Sequence, residues 1–364
     1  MTSRAGPASP TRPVSHTPMR RGLRLIWIVG SLAFFIFSLA LLREGARPLT
    51  PLLRREFSVD SPASALGFGW LLAIVALSGS PVAATSLTFL DAGALTPKES
   101  YAMIAGSRLG AAFIVLLIGF IYLARGRGRG HSLGAGLVSL LVTQTIYLPA
   151  VTLGLFVLNE GWLDRWIIRS RSPITSPVAR LSDPLIHGLQ RILPTWTLFP
   201  IGFVLILASF ALIDRALPDL HLEQTSLGRI NRLLFRPFVT FMLGAAVTTV
   251  TMSVSLSLSL LVPLSVRGYI RQENAIPYIM GANITTFDDT LVAAALLANP
   301  AAVTVVLVLM LSVASISILI LLFAFHPYER AVSRLAGVID SRRRYLILYL
   351  LLTFGIPLGL ILML

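Results

Sequence analysis

Apolar residues run through this chain in long stretches with few charges inside them. Seven stretches, at about 23–42, 101–124, 133–158, 196–214, 275–298, 301–325 and 345–364, suit a bilayer-crossing helix, which takes roughly 20 residues. Two more, 64–92 and 238–266, are interrupted by small and polar residues, "LSGSPVAATS" in the first and "TMSVSLSLSLLVP" in the second. Non-helical backbone at membrane depth is tolerated only inside protein or beside a cavity. Each broken stretch is therefore expected to enter and return to its own side as a re-entrant helical hairpin. The pattern predicts an all-α polytopic membrane protein with about seven full transmembrane helices plus two hairpins.

The order helix, hairpin, helix, helix begins at 23 and recurs from about 196. With both hairpins returning to their own sides, the first set starts on one face and the second on the other. Inverted-topology repeats of this kind are a common transporter design, with the site at the repeat interface. The expected division is a disordered basic tail over 1–22, repeat 1 over 23–158, and an amphipathic connector over 159–194. Repeat 2 follows over 195–325, then a basic loop and C-terminal transmembrane helix over 326–364. The segments "SLTFLDAGALTPKESYAMIAGSRLGAA" and "SLLVPLSVRGYIRQENAIPYIMGANITT" occupy matching slots. They place Ser86 opposite Ser259 and Gly106 opposite Gly281, with a two-residue difference in the connecting turn.

Composition agrees with the pattern. Of 364 residues, 55% are hydrophobic and 13% charged, about half the charged share of a soluble domain. The net charge is +14. Most of the arginines flank apolar runs, which points to topology and anionic lipid headgroups rather than nucleic acid. The larger share falls inside if the N-terminus is cytoplasmic, at Arg20, Arg21 and Arg24, the loop "RGRGRGH", Arg229, Arg232, Arg236, Arg267, Arg271 and Arg342–Arg344. The stretch "GWLDRWIIRS" reads as amphipathic and suits the membrane surface. With no cysteine there is no disulfide, thiolate metal site or cysteine nucleophile. No cofactor or metal is expected, and the protein is not expected to be an enzyme.

One polar stretch stands out at depth. "YIMGANITTFDDT", Tyr278–Thr290, puts an asparagine, three threonines and two adjacent aspartates between apolar runs. Ionisable residues there are costly and usually functional.

"PYIMGANITT", after a serine-rich stretch and "LLVPL", resembles the type II sodium/phosphate cotransporters. The resemblance implies two inverted repeats. Each would carry a Gln-Ser-Ser-Ser hairpin motif followed by Gly-Ala-Asn-Ile-Gly-Thr-Thr. It covers about 64–124 and 238–298. Aligned from "SLLVPL", Met252 takes the glutamine position and Ser253, Val254 and Ser255 the serine positions. Gly79, Ser80, Pro81 and Val82 take them in the first repeat. Asn283, Thr285 and Thr286 remain in the second motif. In the first, Ser107, Arg108, Ala111 and Ala112 stand where Ala, Asn, Thr and Thr are implied. The first repeat has lost neutral oxygen ligands and gained a cation.

A phosphate site needs hydrogen-bond donors and positive potential, which hydroxyls, backbone amides and helix N-termini supply. Ser253, Ser255 and Ser257 alternate with apolar residues and would point one way in an extended tip. Close packing of small residues is the alternative, and it weighs more for Ser80, Thr85 and Ser86. Asn283, Thr285, Thr286, Ser107 and Arg108 complete the expected substrate-binding set. Arg108 has a guanidinium suited to bidentate phosphate contact and a permanent charge that can stand in for a sodium ion. Its alternatives are a structural ion pair with Asp288, Asp289 or Asp91, or snorkelling to the interface. Asp288 and Asp289 are the expected ion-coupling residues. Adjacent helical side chains diverge by about 100°, so one is free for a cation or proton while the other pairs with Arg108; helix capping is the alternative. Gln144 is expected to make a packing hydrogen bond.

The resulting expectation is a secondary transporter of phosphate or a related oxyanion, coupled to sodium or protons, in the cell membrane. Its partners are a small inorganic anion and the lipid bilayer, with a homodimer as one candidate assembly. A non-transporting membrane protein with the same fold is the alternative. An intramembrane aspartyl protease fits less well, because adjacent carboxylates cannot face each other.

Overall fold

A computed structural model describes residues 21–124, 131–161, 177–216, 236–259 and 272–362. Several expectations lie outside the described residues: the basic tail before Arg21, the "RGRGRG" loop, the surface stretch after Gly161, and the segments carrying Arg229, Arg232, Arg267 and Arg271. The side chain of Ser255 is also outside them.

The described chain is helical. Helix α1 (Arg21–Arg55) leads into α2 (Pro62–Ala76) and α3 (Ser80–Asp91). Then come α4 (Pro97–Ala111), α5 (Phe113–Ala124), α6 (His131–Glu160) and α7 (Pro177–Gln190). Helices α8 (Leu198–Ala216), α9 (Pro237–Thr251), α10 (Val254–Ser259), α11 (Gln272–Thr285) and α12 (Asp288–Leu297) follow. The chain ends with α13 (Pro300–Leu319), a π-helical turn over Ile320–Ala324, α14 (Phe325–Ser341) and α15 (Arg343–Leu362). Among the described residues, six segments are long and apolar enough to cross a membrane: Val29–Arg55, Pro97–Ile121, Leu133–Glu160, Thr195–Leu212, Pro300–Ser341 and Arg343–Leu362. The protein is an all-α polytopic membrane protein.

Two expectations about spans need correction. The stretch 275–298 is not one helix, because α11 ends at Thr285 and α12 starts at Asp288. Polar Thr286 and bulky Phe287 occupy the break, and among the described residues six helical segments rather than seven have the length and apolar character of a span. Residues 326–341, expected as a basic loop, form helix α14. Val332, Ala336 and Ile339 recur at helical spacing and are buried, which gives that segment an apolar face to pack.

Both hairpin stretches are broken as expected, and both breaks have the same backbone. Helix α2 runs fifteen residues from Pro62 and ends at Leu77, in the left-handed region with φ +50°. Helix α9 runs fifteen residues from Pro237 and ends at Met252, with φ +48°. Proline at the first helical position has no amide to leave unpaired. A left-handed residue just past the helix stops it.

Two glycine pairs fix the equivalence of the halves. A Cβ on Gly106 would lie 2.0 Å from the Leu66 carbonyl oxygen, and one on Gly281 2.0 Å from that of Phe241. A Cβ on Gly69 would meet the Met103 carbonyl and one on Gly244 the Tyr278 carbonyl. Each residue is 175 positions from its counterpart, as Leu77 is from Met252. Helix α2 therefore packs on α4 as α9 packs on α11, at backbone-to-backbone range that only glycine permits. The expected opposition of Gly106 and Gly281 holds. The hairpin tips do not match as aligned, because Leu77 rather than Gly79 occupies the position of Met252. Apolar side chains let the sequence alignment slip by two residues; glycine contacts and the left-handed turn do not.

The halves also exchange contacts. Helix α3 packs on α12 of the other half, and α10 packs on α5. Helix α4 touches both α6 and α13, as α11 touches both α13 and α6. One ion pair, Arg43 with Asp91, ties the first hairpin to α1, and a second, Arg54 with Glu99, ties α4 to α1. Arg54 donates to both Glu99 oxygens at 2.8 and 2.9 Å and to the Ala94 carbonyl, while Glu99 caps α4 through the Thr96 amide. Within the connector, α7 turns Ser182 and Ile186 inward and leaves Leu185 exposed.

Candidate functional site

Three backbone breaks put polar groups in the interior. The first, at Leu77–Gly79, starts α3 with Ser80. A Cβ on Gly79 would come within 2.9 Å of the Ser107 carbonyl, so the tip rests directly on α4. The second, at Ala112, separates α4 from α5 just after Arg108. The third, at Thr286–Phe287, starts α12 with Asp288 and Asp289, acidic residues suited to a helix N-terminus. Two helix N-termini, those of α3 and α12, therefore converge on one guanidinium.

That guanidinium belongs to Arg108, which is 3% exposed. Its Nη1 donates to Ser80 Oγ at 3.2 Å and to Thr286 Oγ1 at 3.1 Å. Its Nη2 donates to Asp289 Oδ1 at 3.2 Å and to Thr290 Oγ1. Thr290 in turn donates to Asp289 Oδ1 at 2.8 Å. The charged plane lies 5.2 Å from the centre of the Phe287 ring, within cation–π range. Ser80 and Arg108 come from the first half, the other partners from the second. The set is closed to the outside but not saturated. Arg108 Nε and Asp289 Oδ2 are both buried without a hydrogen-bond partner.

A second cluster lies beside it. Where α11 stops, the Asn283 carbonyl no longer receives the Phe287 amide, which turns to Ile284 instead. Tyr147 of α6 replaces it, donating its hydroxyl to the Asn283 carbonyl at 2.9 Å. The Asn283 side chain donates to Thr143 Oγ1 at 3.2 Å. Tyr147 also lies against Phe287, with ring centres 6.1 Å apart.

Of the expected substrate set, Ser80, Arg108 and Thr286 meet directly, together with the expected coupling residue Asp289. The others make separate contacts. Asn283 faces Thr143 rather than Arg108. Ser107 donates to the Ile104 carbonyl, Thr85 to that of Pro81, and Thr285 to that of Ala245. Ser257 bonds Thr248 and the Tyr278 hydroxyl, within the second hairpin and its support. Ser253 accepts through its carbonyl from Thr251. Asp288 turns away from Asp289 and accepts from Thr249 Oγ1 at 2.9 Å, the divergence expected of neighbours on a helix. A facing carboxylate pair of the protease kind is not formed by these two residues.

The remaining polar expectations resolve plainly. Asp91 pairs with Arg43 and accepts from Asn299, so it is not the partner of Arg108. Ser86 bonds Ser100. Gln144 accepts from the Tyr349 hydroxyl at 2.8 Å, a packing bond between α6 and α15. Thr290, Phe287, Thr143, Tyr147 and Thr249 were not singled out in the sequence. Thr290 directly follows the two aspartates and Tyr147 lies in the same "VTQTIYLP" stretch as Gln144, so their positions carried a signal. Their contacts, 136 or more residues away in sequence for Tyr147 and Arg108, did not.

No curated protein and no solved structure matches the chain. Residues 205–339 do match a known family, Na+/Pi-cotransporter. The matched stretch runs from α8 through α14 and contains the second hairpin, both helices of the α11–α12 break and the two aspartates. Over these residues the chain is similar to the sodium/phosphate cotransporter family.

Proposed function

We propose that the protein is a secondary transporter of phosphate or a related oxyanion, coupled to a cation, either sodium or a proton. It works by alternating access, with its site where the two repeats cross. The observation that carries this is Arg108. A permanent cation of one repeat sits among two helix N-termini and four polar side chains, three of them from the other repeat. Hydroxyls that now accept from the guanidinium can rotate to donate to an anion. A site built from both halves changes shape when the halves move against each other, which is what alternating access requires. The two repeats are inverted across a cell membrane, with a cytoplasmic N-terminus, and the protein acts on its anion without chemical change.

The neutralisation of Arg108 by Asp289 favours a second reading, in which the fold is kept as a membrane protein without transport. The experiment that separates them is uptake of radiolabelled phosphate into proteoliposomes, with sodium and pH gradients imposed one at a time. Transport predicts accumulation driven by one of the gradients and lost in Arg108→Ala. Absence of uptake under both gradients, with the protein correctly inserted, would favour the second reading.

A further inference from the structure

An anion that takes Arg108 leaves Asp289 without its cation. We infer that binding of a singly charged tetrahedral oxyanion is linked, one to one, to uptake of a proton by Asp289. The inference rests on the transport reading above and names its substrate class and its co-transported ion.

The donors of Arg108 are almost fully committed. Nη1 serves two hydroxyls and Nη2 serves Asp289 and Thr290, leaving only Nε free. A bidentate oxyanion needs two adjacent N–H groups, so it must displace some of these partners. The hydroxyls can turn and donate to the newcomer. The carboxylate cannot, and two anions on one guanidinium repel. Asp289 is the partner that gives way.

Once displaced, the carboxylate is 3% exposed and has no other cation. An unpaired buried charge is too costly to keep, and such a group neutralises instead. The ionisable groups around it come from every packed element. Arg108 comes from α4, and Tyr147 of α6 lies within electrostatic reach of both members of the pair. Asp288, on the same helix, is a like charge. Asp91 of α3 and Arg43 of α1 are held by each other. His187 of α7 is exposed, and α13 has no ionisable residue between Pro300 and Leu319. None of these supplies a spare positive charge. A proton does, and Asp289 already has a place for it, because Oδ2 is buried with no donor directed at it. The proton adds to Oδ2 from water and no other bond is made or broken.

Charge balance then selects the substrate. The empty site holds one cation and one carboxylate and is neutral. With the proton on Asp289 and a monoanion on Arg108 it is neutral again. A dianion would leave one uncompensated negative charge in a dry interior. The dihydrogen form of phosphate fits and the monohydrogen form does not.

The test is calorimetric titration of the purified full-length protein with inorganic phosphate, in sodium-free medium. It is run at a mildly acidic pH, where phosphate is already mostly the monoanion, in two buffers of different ionisation enthalpy. The difference gives the protons taken up per anion bound. About one proton per anion bound is expected for the native protein, and none accompanies whatever phosphate binding Asp289→Asn retains. A difference infrared spectrum of the native protein supplies the second readout. Phosphate should bring out a protonated-carboxyl band that is missing in Asp289→Asn. Phosphate binding without proton uptake or without that band, or the same uptake in Asp289→Asn, would overturn the inference. Absence of phosphate binding to the folded protein would instead overturn the transport reading, and the inference with it.

Discussion

Breaking the Arg108–Asp289 pair from one side should be far worse than removing it whole. Both residues are 3% exposed and their charged atoms are 3.2 Å apart. Asp289→Ala leaves a buried guanidinium with only hydroxyl partners, and removing one member of a buried pair costs about 3–5 kcal/mol. Arg108→Met leaves the carboxylate with only Thr290 as a donor, at a similar cost. The double variant Arg108→Met with Asp289→Leu leaves no buried charge. What remains is the loss felt by Ser80, Thr286 and Thr290, whose hydroxyls give up charged partners. A neutral group left unsatisfied costs about 1–3 kcal/mol, but hydroxyls rotate and recover part of it. The double variant should therefore be more stable than either single one, with a coupling of at least about 2 kcal/mol. Thermal unfolding of the purified protein in one detergent, followed by intrinsic fluorescence, gives the ranking. A double variant whose loss equals the sum of the two single losses would refute the pairing.

Other substitutions probe the frame around the pair. Gly106→Ala and Gly281→Ala should both lower the melting temperature strongly, because each added Cβ meets a carbonyl oxygen at 2.0 Å; Gly337→Ala, with open space around it, should be neutral or stabilising by about 0.5–1 kcal/mol. Tyr147→Phe removes the donor to the carbonyl freed at the α11–α12 break and should cost about 1–3 kcal/mol in the same unfolding assay. Glu99→Gln weakens the bidentate contact with Arg54 and the cap of α4, and should loosen the α1–α4 junction, read as faster backbone hydrogen exchange over 97–111 than in the native protein.

What the sequence revealed and what it hid divide along local and non-local lines. Long apolar runs marked the spans, and small polar residues within "LSGSPVAATS" and "TMSVSLSLSLLVP" marked both hairpin breaks, because their causes are local. The break at Thr286–Phe287 falls inside the polar stretch Tyr278–Thr290, where the sequence left a continuous span and helix capping by Asp288 and Asp289 both open. Gly106 and Gly281 correspond in sequence and in structure, whereas the hairpin tips lie two residues away from the sequence register. Only the packed backbone distinguishes one apolar register from another. For the site, the cost of a buried arginine implied a carboxylate partner, and Asp289 is that partner. Which serines would join it was not legible. Ser80, weighed as a packing residue, touches Arg108, while Ser257, Thr85 and Ser107 spend their hydroxyls locally. A hydroxyl on a helix finds a carbonyl one turn back unless the fold supplies something better, and that choice is tertiary.

The central claim is that the Arg108 cluster is a site reached from each side of the membrane in turn. The chain contains no cysteine, so a single Thr290→Cys substitution reports on this position without background. In inside-out and right-side-out vesicles, a membrane-impermeant thiol reagent should modify that cysteine from either face, slowly, and phosphate should slow it further on both. Modification from one face alone, or at a rate that phosphate leaves unchanged, would contradict alternating access at this cluster.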